Sequence, residues 1–239
     1  MREEDFAECG LLRGCEMFED IKAVGFDLDG TFLNTHVDYK RIDRADKDAC
    51  LRHNIPFDEL VFTTIKRTRA PIKKWLIDHG RGDEFEQVTK EIDAELTATE
   101  LEYIDEAKPF PGNLECIDIL KSKGLKVGLL TRGSTLYGNK ALTMMGVRDK
   151  FDAVIGRDSI DYDDAKPSPK AMYHFANVLG VEPKEILYLG DNVTDYYSAR
   201  DAGTYFVGVL SGGMDKEGWL KEDPEMITVQ NAGDIVHML

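Results

Sequence analysis

Short apolar runs alternate with amphipathic stretches from about residue 110 onward, and no other feature constrains the fold of this chain as tightly. The runs at 125–130, 151–155, 186–189 and 205–209 are near-continuously hydrophobic, as strands buried on both faces are. Helical patterns lie between and around them, near 115–123, 135–145, 168–180 and 194–202. Strands alternating with helices predict an α/β fold with a doubly wound parallel sheet. Ligands of such sheets bind at the carboxyl ends of the strands, so the strand-end loops are where chemistry is expected.

One further strand, at 21–26, stands apart from this series. The residues between it and the next α/β unit contain no convincing strand. Phe85, Val88, Ile92, Leu96, Thr99 and Tyr103 recur every three or four positions, one face of a long amphipathic helix. Its other face carries Glu84, Glu86, Glu91, Asp93, Glu95, Glu100 and Glu102, expected to be a solvated acidic surface. Earlier helical stretches are expected at 38–53 and 57–80, with Pro71 breaking or kinking the second. A helical insertion over 35–107 is therefore predicted, interrupting a core made of 21–34 and 108–239. Residues 1–20 are expected to be an arm ahead of the first strand.

Composition narrows the partners. Hydrophobic residues at 42% and charged residues at 31% suit a soluble globular chain. Thirty Lys and Arg against 45 Asp and Glu give a net charge of −15, which repels nucleic acid and anionic membranes alike. No apolar run approaches the length of a membrane-spanning helix, and the acid-rich first 20 residues lack the apolar stretch of a secretory signal. Cys9, Cys15, Cys50 and Cys116 are too scattered for a disulfide framework. A cytoplasmic protein, monomer or homodimer, is expected.

Chemistry concentrates at the strand ends. The first strand runs into Asp27-Leu28-Asp29-Gly30-Thr31, and alternation directs the side chains of Asp27 and Asp29 to one side. Two such acids repel and require a cation or a shared proton, which suits Mg²⁺; a solvated turn would also contain them. Asp191 follows the run ILYLG, and Asp195 lies one helical turn further, where an acid also favours a helix N-terminus. Thr131, Arg132 and Gly133 lead from another strand into a helix, an arrangement that serves as an anion site or simply as an N-cap. Lys166 sits between Ala165 and Pro167 in a loop, where a lone lysine is usually a solvated charge.

In chain order these elements read DxDGT, a strand-end Thr, K-P-x-P and GDxxxD. That series resembles the haloacid dehalogenase-like superfamily, with its Rossmann-like core, and within it the phosphoglycolate phosphatase-like group, which carries a helical cap after the first motif. The similarity spans roughly 21–213. The resemblance implies that Asp27 is a nucleophile forming an aspartyl phosphate. It implies that Asp29 protonates the leaving oxygen and then deprotonates water, and that Thr131 and Lys166 hold the phosphoryl group. Magnesium would be held by the Asp27 carboxylate, the Asp29 backbone carbonyl and Asp191, with Asp195 in support. An acid at position 29 distinguishes the family's phosphatases from its dehalogenases and phosphonatases. Asn34 departs from the group, which often has Asp there. Arg132 stands where a smaller residue is common; its backbone N–H and that of Gly133 remain available to phosphate.

A Mg²⁺-dependent phosphatase of a small phosphorylated metabolite is thus expected. A sugar-phosphate mutase of the same fold, and a regulatory protein that keeps the fold without turnover, are the alternatives. The basic run Lys66, Arg67, Arg69, Lys73 and Lys74 is expected to be a solvated helix face, with reception of a second anion as the alternative.

Overall fold

A computed structural model describes residues 18–62 and 69–239. The expected arm lies outside the described residues except for 18–20, as do Cys9, Cys15, Lys66 and Arg67.

The central strand β1 (Ala23–Phe26) is buried along its whole length. It pairs in parallel with β4 (Lys126–Leu130) on one side and β6 (Ile186–Gly190) on the other. Phe26 lies opposite Leu129 and Leu189, so the three strands end level with one another. β5 (Ala153–Ile155), β7 (Tyr205–Val209) and β8 (Thr228–Val229) complete a six-stranded parallel sheet in the order β5-β4-β1-β6-β7-β8. The chain builds outward from β1 to β5, then crosses back to β6. The sheet therefore reverses direction of growth between β1 and β6, where ligand crevices of open α/β sheets form.

Strand alternation divides the core into two layers. Val24, Phe26, Val127, Leu129, Leu187 and Leu189 face a cluster shared with Ile117 and Leu120 of α4 (Asn113–Ser122) and Tyr137, Ala141 and Leu142 of α5 (Thr135–Met144). Ala23, Leu130, Ile186 and Tyr188 face the opposite cluster, with Phe175 and Leu179 of α6 (Pro169–Leu179) and Ala199 of α7 (Val193–Ala202). A doubly wound parallel sheet is what the sequence predicts. Three pieces escape that prediction: β8, and the two-residue strands β2 (Leu33–Asn34) and β3 (Lys108–Pro109). Strands so short carry no periodicity.

β2 and β3 pair antiparallel where the chain leaves and re-enters the sheet region. Between them α1 (Tyr39–Arg52), α2 (Ala70–Asp78) and α3 (Phe85–Glu102) surround a separate apolar cluster that includes Ala49, Ile72, Leu76, Val88, Ile92 and Leu96. Burial of each larger side chain contributes about 1.5–3 kcal/mol, which gives this insertion a core of its own. Residues 63–68 of the expected 57–80 stretch lie outside the described residues, and Pro71 occupies the first turn of α2 and so begins that helix. Its missing N–H costs nothing there, because first-turn amides have no partner within the helix. α8 (Lys216–Glu222) packs its buried Trp219 near β7. Among the described residues no helix is long and apolar enough to cross a membrane.

Candidate active site

The ladder between β1 and β6 ends where the Asp27 amide donates to the Leu189 carbonyl at 2.9 Å. Asp27 is buried at that point, at the floor of a cleft of about 540 Å³ between the sheet and the inserted helices. The chain then turns back on itself, with the Gly30 amide donating to Leu33 and the Leu33 amide to Leu28. Gly30 has φ +80°, and a Cβ there would lie 2.5 Å from Asp191 Oδ2. Gly30→Ala should therefore cost about 1–3 kcal/mol in backbone strain and displace Asp191, lowering both unfolding stability in urea and turnover.

Asp27, Asp191 and Asp195 present carboxylate oxygens that all lie within 4.8 Å of one another. Asp191 accepts from Thr31 Oγ1 at 3.1 Å and from the Gly213 amide at 2.6 Å. Burial, then the charge of Asp27, hold its carboxyl above the usual range. Asp195 unites the two roles that the sequence leaves open. Its Oδ2 accepts from the Asn192 amide at 3.1 Å, closing a capping box at the start of α7, while its Oδ1 accepts from Lys166 Nζ. Burial raises the Asp195 carboxyl as well, with Asp27 and Asp191 adding to the effect and Lys166 opposing it.

Lys166, which its loop alone would make a solvated charge and the resemblance a phosphoryl ligand, is 1% exposed. Its ammonium reaches Asp27 Oδ1 at 2.8 Å, Tyr188 OH at 2.8 Å, the Leu130 carbonyl at 2.9 Å and Asp195. Burial works against its charge, yet Asp195 and Asp27 keep it protonated above its ordinary value. One buried cation faces three buried carboxylates. A hard divalent cation that prefers oxygen ligands fits this donor set, which contains no nitrogen or sulfur and has an excess of negative charge.

Asp29 has a different setting from Asp27, although both line the cleft. Its Oδ1 accepts from Thr35 Oγ1 at 2.7 Å and from Tyr137 OH at 2.7 Å. Burial and the neighbouring Asp27 push its carboxyl up to about 7, against the pull of those two hydroxyls. It can thus carry a proton near neutral pH.

Thr131 is buried at the end of β4 and accepts from the Gly133 amide at 3.0 Å. It is not the N-cap of α5; Ser134 is, accepting from the Tyr137 amide at 3.2 Å. Arg132 is exposed and lines the cleft.

The acidic face of α3 is only partly solvated. Glu100 is 6% exposed, and burial raises its carboxyl despite Arg157 and Ser134. It accepts from Ser134 Oγ at 3.0 Å, from the Ser134 amide at 3.1 Å and from Arg157. Arg157 also donates to Thr97 Oγ1 at 2.7 Å and to Asp93 at 3.2 Å, and Asp93 in turn accepts both arms of Arg69 at 2.8 and 2.9 Å. Sequence patterning cannot show that these acids face the sheet region, because helical periodicity distinguishes polar faces only from apolar ones. Of the basic run, Arg69 is committed to Asp93, while Lys74 pairs at the surface with Asp78 at 2.5 Å. Neither lines the cleft.

Site residues not anticipated from the sequence are Thr31, Thr35, Tyr137, Tyr188, Arg157 and the 211–213 loop. Thr31, inside the DxDGT motif, and the loop, which follows the carboxyl end of a strand, had a signal; the others had none.

Sheet topology and a carboxylate-lined crevice at the strand ends place this chain in the class of doubly wound α/β proteins with an acidic strand-end site. It belongs to the haloacid dehalogenase-like hydrolase family, whose model matches residues 21–203, and within it to the phosphoglycolate phosphatase-like group of phosphoric monoester hydrolases. It is 26% identical over 211 residues to a phosphoglycolate phosphatase of Haemophilus influenzae, covering 82% of this chain and 88% of that one. It is 29% identical over 192 residues to a validoxylamine A 7'-phosphate phosphatase of Streptomyces hygroscopicus, covering 80% and 86%. The crystal structure of a predicted phosphoglycolate phosphatase from Haemophilus somnus shares the fold, with a TM-score of 0.60 at 22% identity over 91% of this chain and 97% of that one.

Proposed function

We propose that this chain is a Mg²⁺-dependent phosphatase of a small phosphorylated metabolite that works through a phosphorylated Asp27. The observation that carries this is the pairing of Asp27 with buried Lys166 at 2.8 Å beside a second carboxyl, Asp29, held separately. In the first half-reaction an Asp27 oxygen attacks phosphorus, the bond to the leaving oxygen breaks, and that oxygen takes the proton of Asp29. In the second, Asp29 takes a proton from water, the water oxygen attacks phosphorus, and Asp27 departs as a carboxylate. Lys166, Thr131 and the backbone amide of Arg132 hold the phosphoryl oxygens in place through both, while the Gly133 amide orients the Thr131 hydroxyl. Asp27, the Asp29 carbonyl and Asp191 would hold magnesium, with Asp195 acting through Lys166. Magnesium would supply the charge that lets an anion enter a site of clustered carboxylates.

Residues 21–34 and 108–239 are the catalytic core in this reading, and 35–107 the cap. The Arg157–Glu100 pair would join them over the cleft. The relatives named above act on different phosphates, which supports the reaction class and leaves the substrate to experiment.

Phosphate release from 2-phosphoglycolate and other small phosphate esters should require Mg²⁺, vanish with excess chelator and return when Mg²⁺ is restored. Ca²⁺ should support it poorly, because a larger ion takes more ligands and invites bidentate binding by the carboxylate that must attack. Undiminished turnover in chelator would end the metal assignment. An isomerised phosphate ester in place of free phosphate would identify a mutase.

A further inference from the structure

We propose that Tyr137 is a positioning residue for Asp29, fixing which carboxyl oxygen carries the catalytic proton. The proposal rests on the reading of Asp29 as the proton carrier. Asp29 Oδ1 receives two hydroxyl donors at 2.7 Å, Tyr137 from α5 and Thr35 from just beyond β2. An oxygen that accepts two hydrogen bonds has its lone pairs engaged, so the proton of the neutral acid resides on Oδ2. Oδ2 is then the atom that delivers the proton to the leaving oxygen. As the phosphorus–oxygen bond breaks, its electron pair goes to that oxygen. Asp29 is left as a carboxylate whose Oδ1 keeps both donors, with Oδ2 free to take a proton from water.

The tyrosine is built to hold this position. It is 1% exposed, and burial together with the Asp29 charge keeps its phenol far above its ordinary range, so it donates and does not ionise. Its amide is tied to Ser134 at 3.2 Å, which fixes its place on the first turn of α5. Gly133 makes the room: a Cβ there would lie 2.7 Å from the Tyr137 ring. The segment 131–137 therefore supplies Thr131 to the cleft and a rigid donor to Asp29 from one strand-to-helix turn. Orientation of this kind matters because a proton carrier turned away from the leaving oxygen is absent from the transition state.

The test compares two leaving groups through kcat/KM, which reports steps up to formation of the phosphoenzyme. With 2-phosphoglycolate, whose alkoxide leaving group needs the proton, Tyr137→Phe should lower kcat/KM about tenfold, part of the 10²–10⁴-fold that proton transfer contributes. With 4-nitrophenyl phosphate, whose leaving group departs unaided, the change should stay within about twofold. Thr35→Val should act in the same sense, and Thr35→Ser should restore the wild-type ratio. Asp29→Asn is measured in parallel, with circular dichroism confirming that each variant is folded. Selective loss in both Asp29→Asn and Tyr137→Phe supports the proposal. Selective loss in Asp29→Asn, with Tyr137→Phe affecting both substrates equally or neither, overturns it and leaves the role of Asp29 intact. No selectivity in Asp29→Asn overturns the proton-carrier reading, and this proposal with it.

Discussion

Asp27→Asn should lower kcat/KM by about 10⁴–10⁶-fold, the range seen when a covalent nucleophile is removed from a site whose groups act as a unit. The substitution keeps the volume of a side chain that is nearly buried, so the β1–β6 ladder and the fold should persist. What it removes is the charged oxygen that would attack phosphorus, and one of the two carboxylates paired with Lys166. Asp29→Asn gives the complementary result. Its nucleophile and backbone carbonyl remain, so an activated aryl or acyl phosphate should still phosphorylate the enzyme, while hydrolysis slows for want of a base. Rapid quench followed by intact-mass measurement should show the added phosphoryl group on Asp29→Asn and none on Asp27→Asn. Label on Asp27→Asn instead would exchange the two assignments.

Lys166→Met should have the second largest effect, on stability as well as on turnover. Its loop position by itself suggests a solvated lysine, whereas the folded chain buries it. Its ammonium is the counter-charge of buried Asp27 and Asp195. Methionine preserves the packed stem and leaves those charges uncompensated, a change that costs about 3–5 kcal/mol when one partner of a buried pair is removed. The loss should be read as a fall in the urea midpoint with an unchanged slope. It should also be smaller at low pH. Burial already raises the Asp195 carboxyl, and without the lysine the native variant would bind a proton that the unfolded chain has released near neutrality. More protons bound in the native state means that stability falls as pH rises, so the deficit should grow from pH 6 to pH 8. Turnover should drop about 10²–10³-fold as a preorganised charge is lost from the phosphoryl site. Wild-type stability at pH 8 would show that the two carboxylates find another partner.

Much of the core, and the placement of carboxylates at its strand ends, was legible in the residues themselves. Strands such as 186–190 are contiguous apolar runs, and α7 begins with a capping pattern four residues long. Signals of this kind depend on neighbours in sequence, so a single chain displays them. Pro71 shows the limit even of local patterns: the same residue interrupts a helix or begins one, depending on where the preceding turn ends.

The sequence by itself determined the alternation of strands and helices, the helical insertion's amphipathic face, and the placement of Asp27, Thr131 and Asp191 at strand ends, because periodicity and strand termination are properties of short segments. Only the tertiary structure decided what those residues meet. Asp27 finds Lys166 139 positions away, and Asp29 finds Tyr137 108 positions away. Glu100, which local pattern assigns to a solvated face, is buried against Ser134 and Arg157. A residue's burial, its counter-charge and the donors on each of its oxygens are set by parts of the chain brought beside it when the sheet and the inserted helices pack, and no local pattern encodes them.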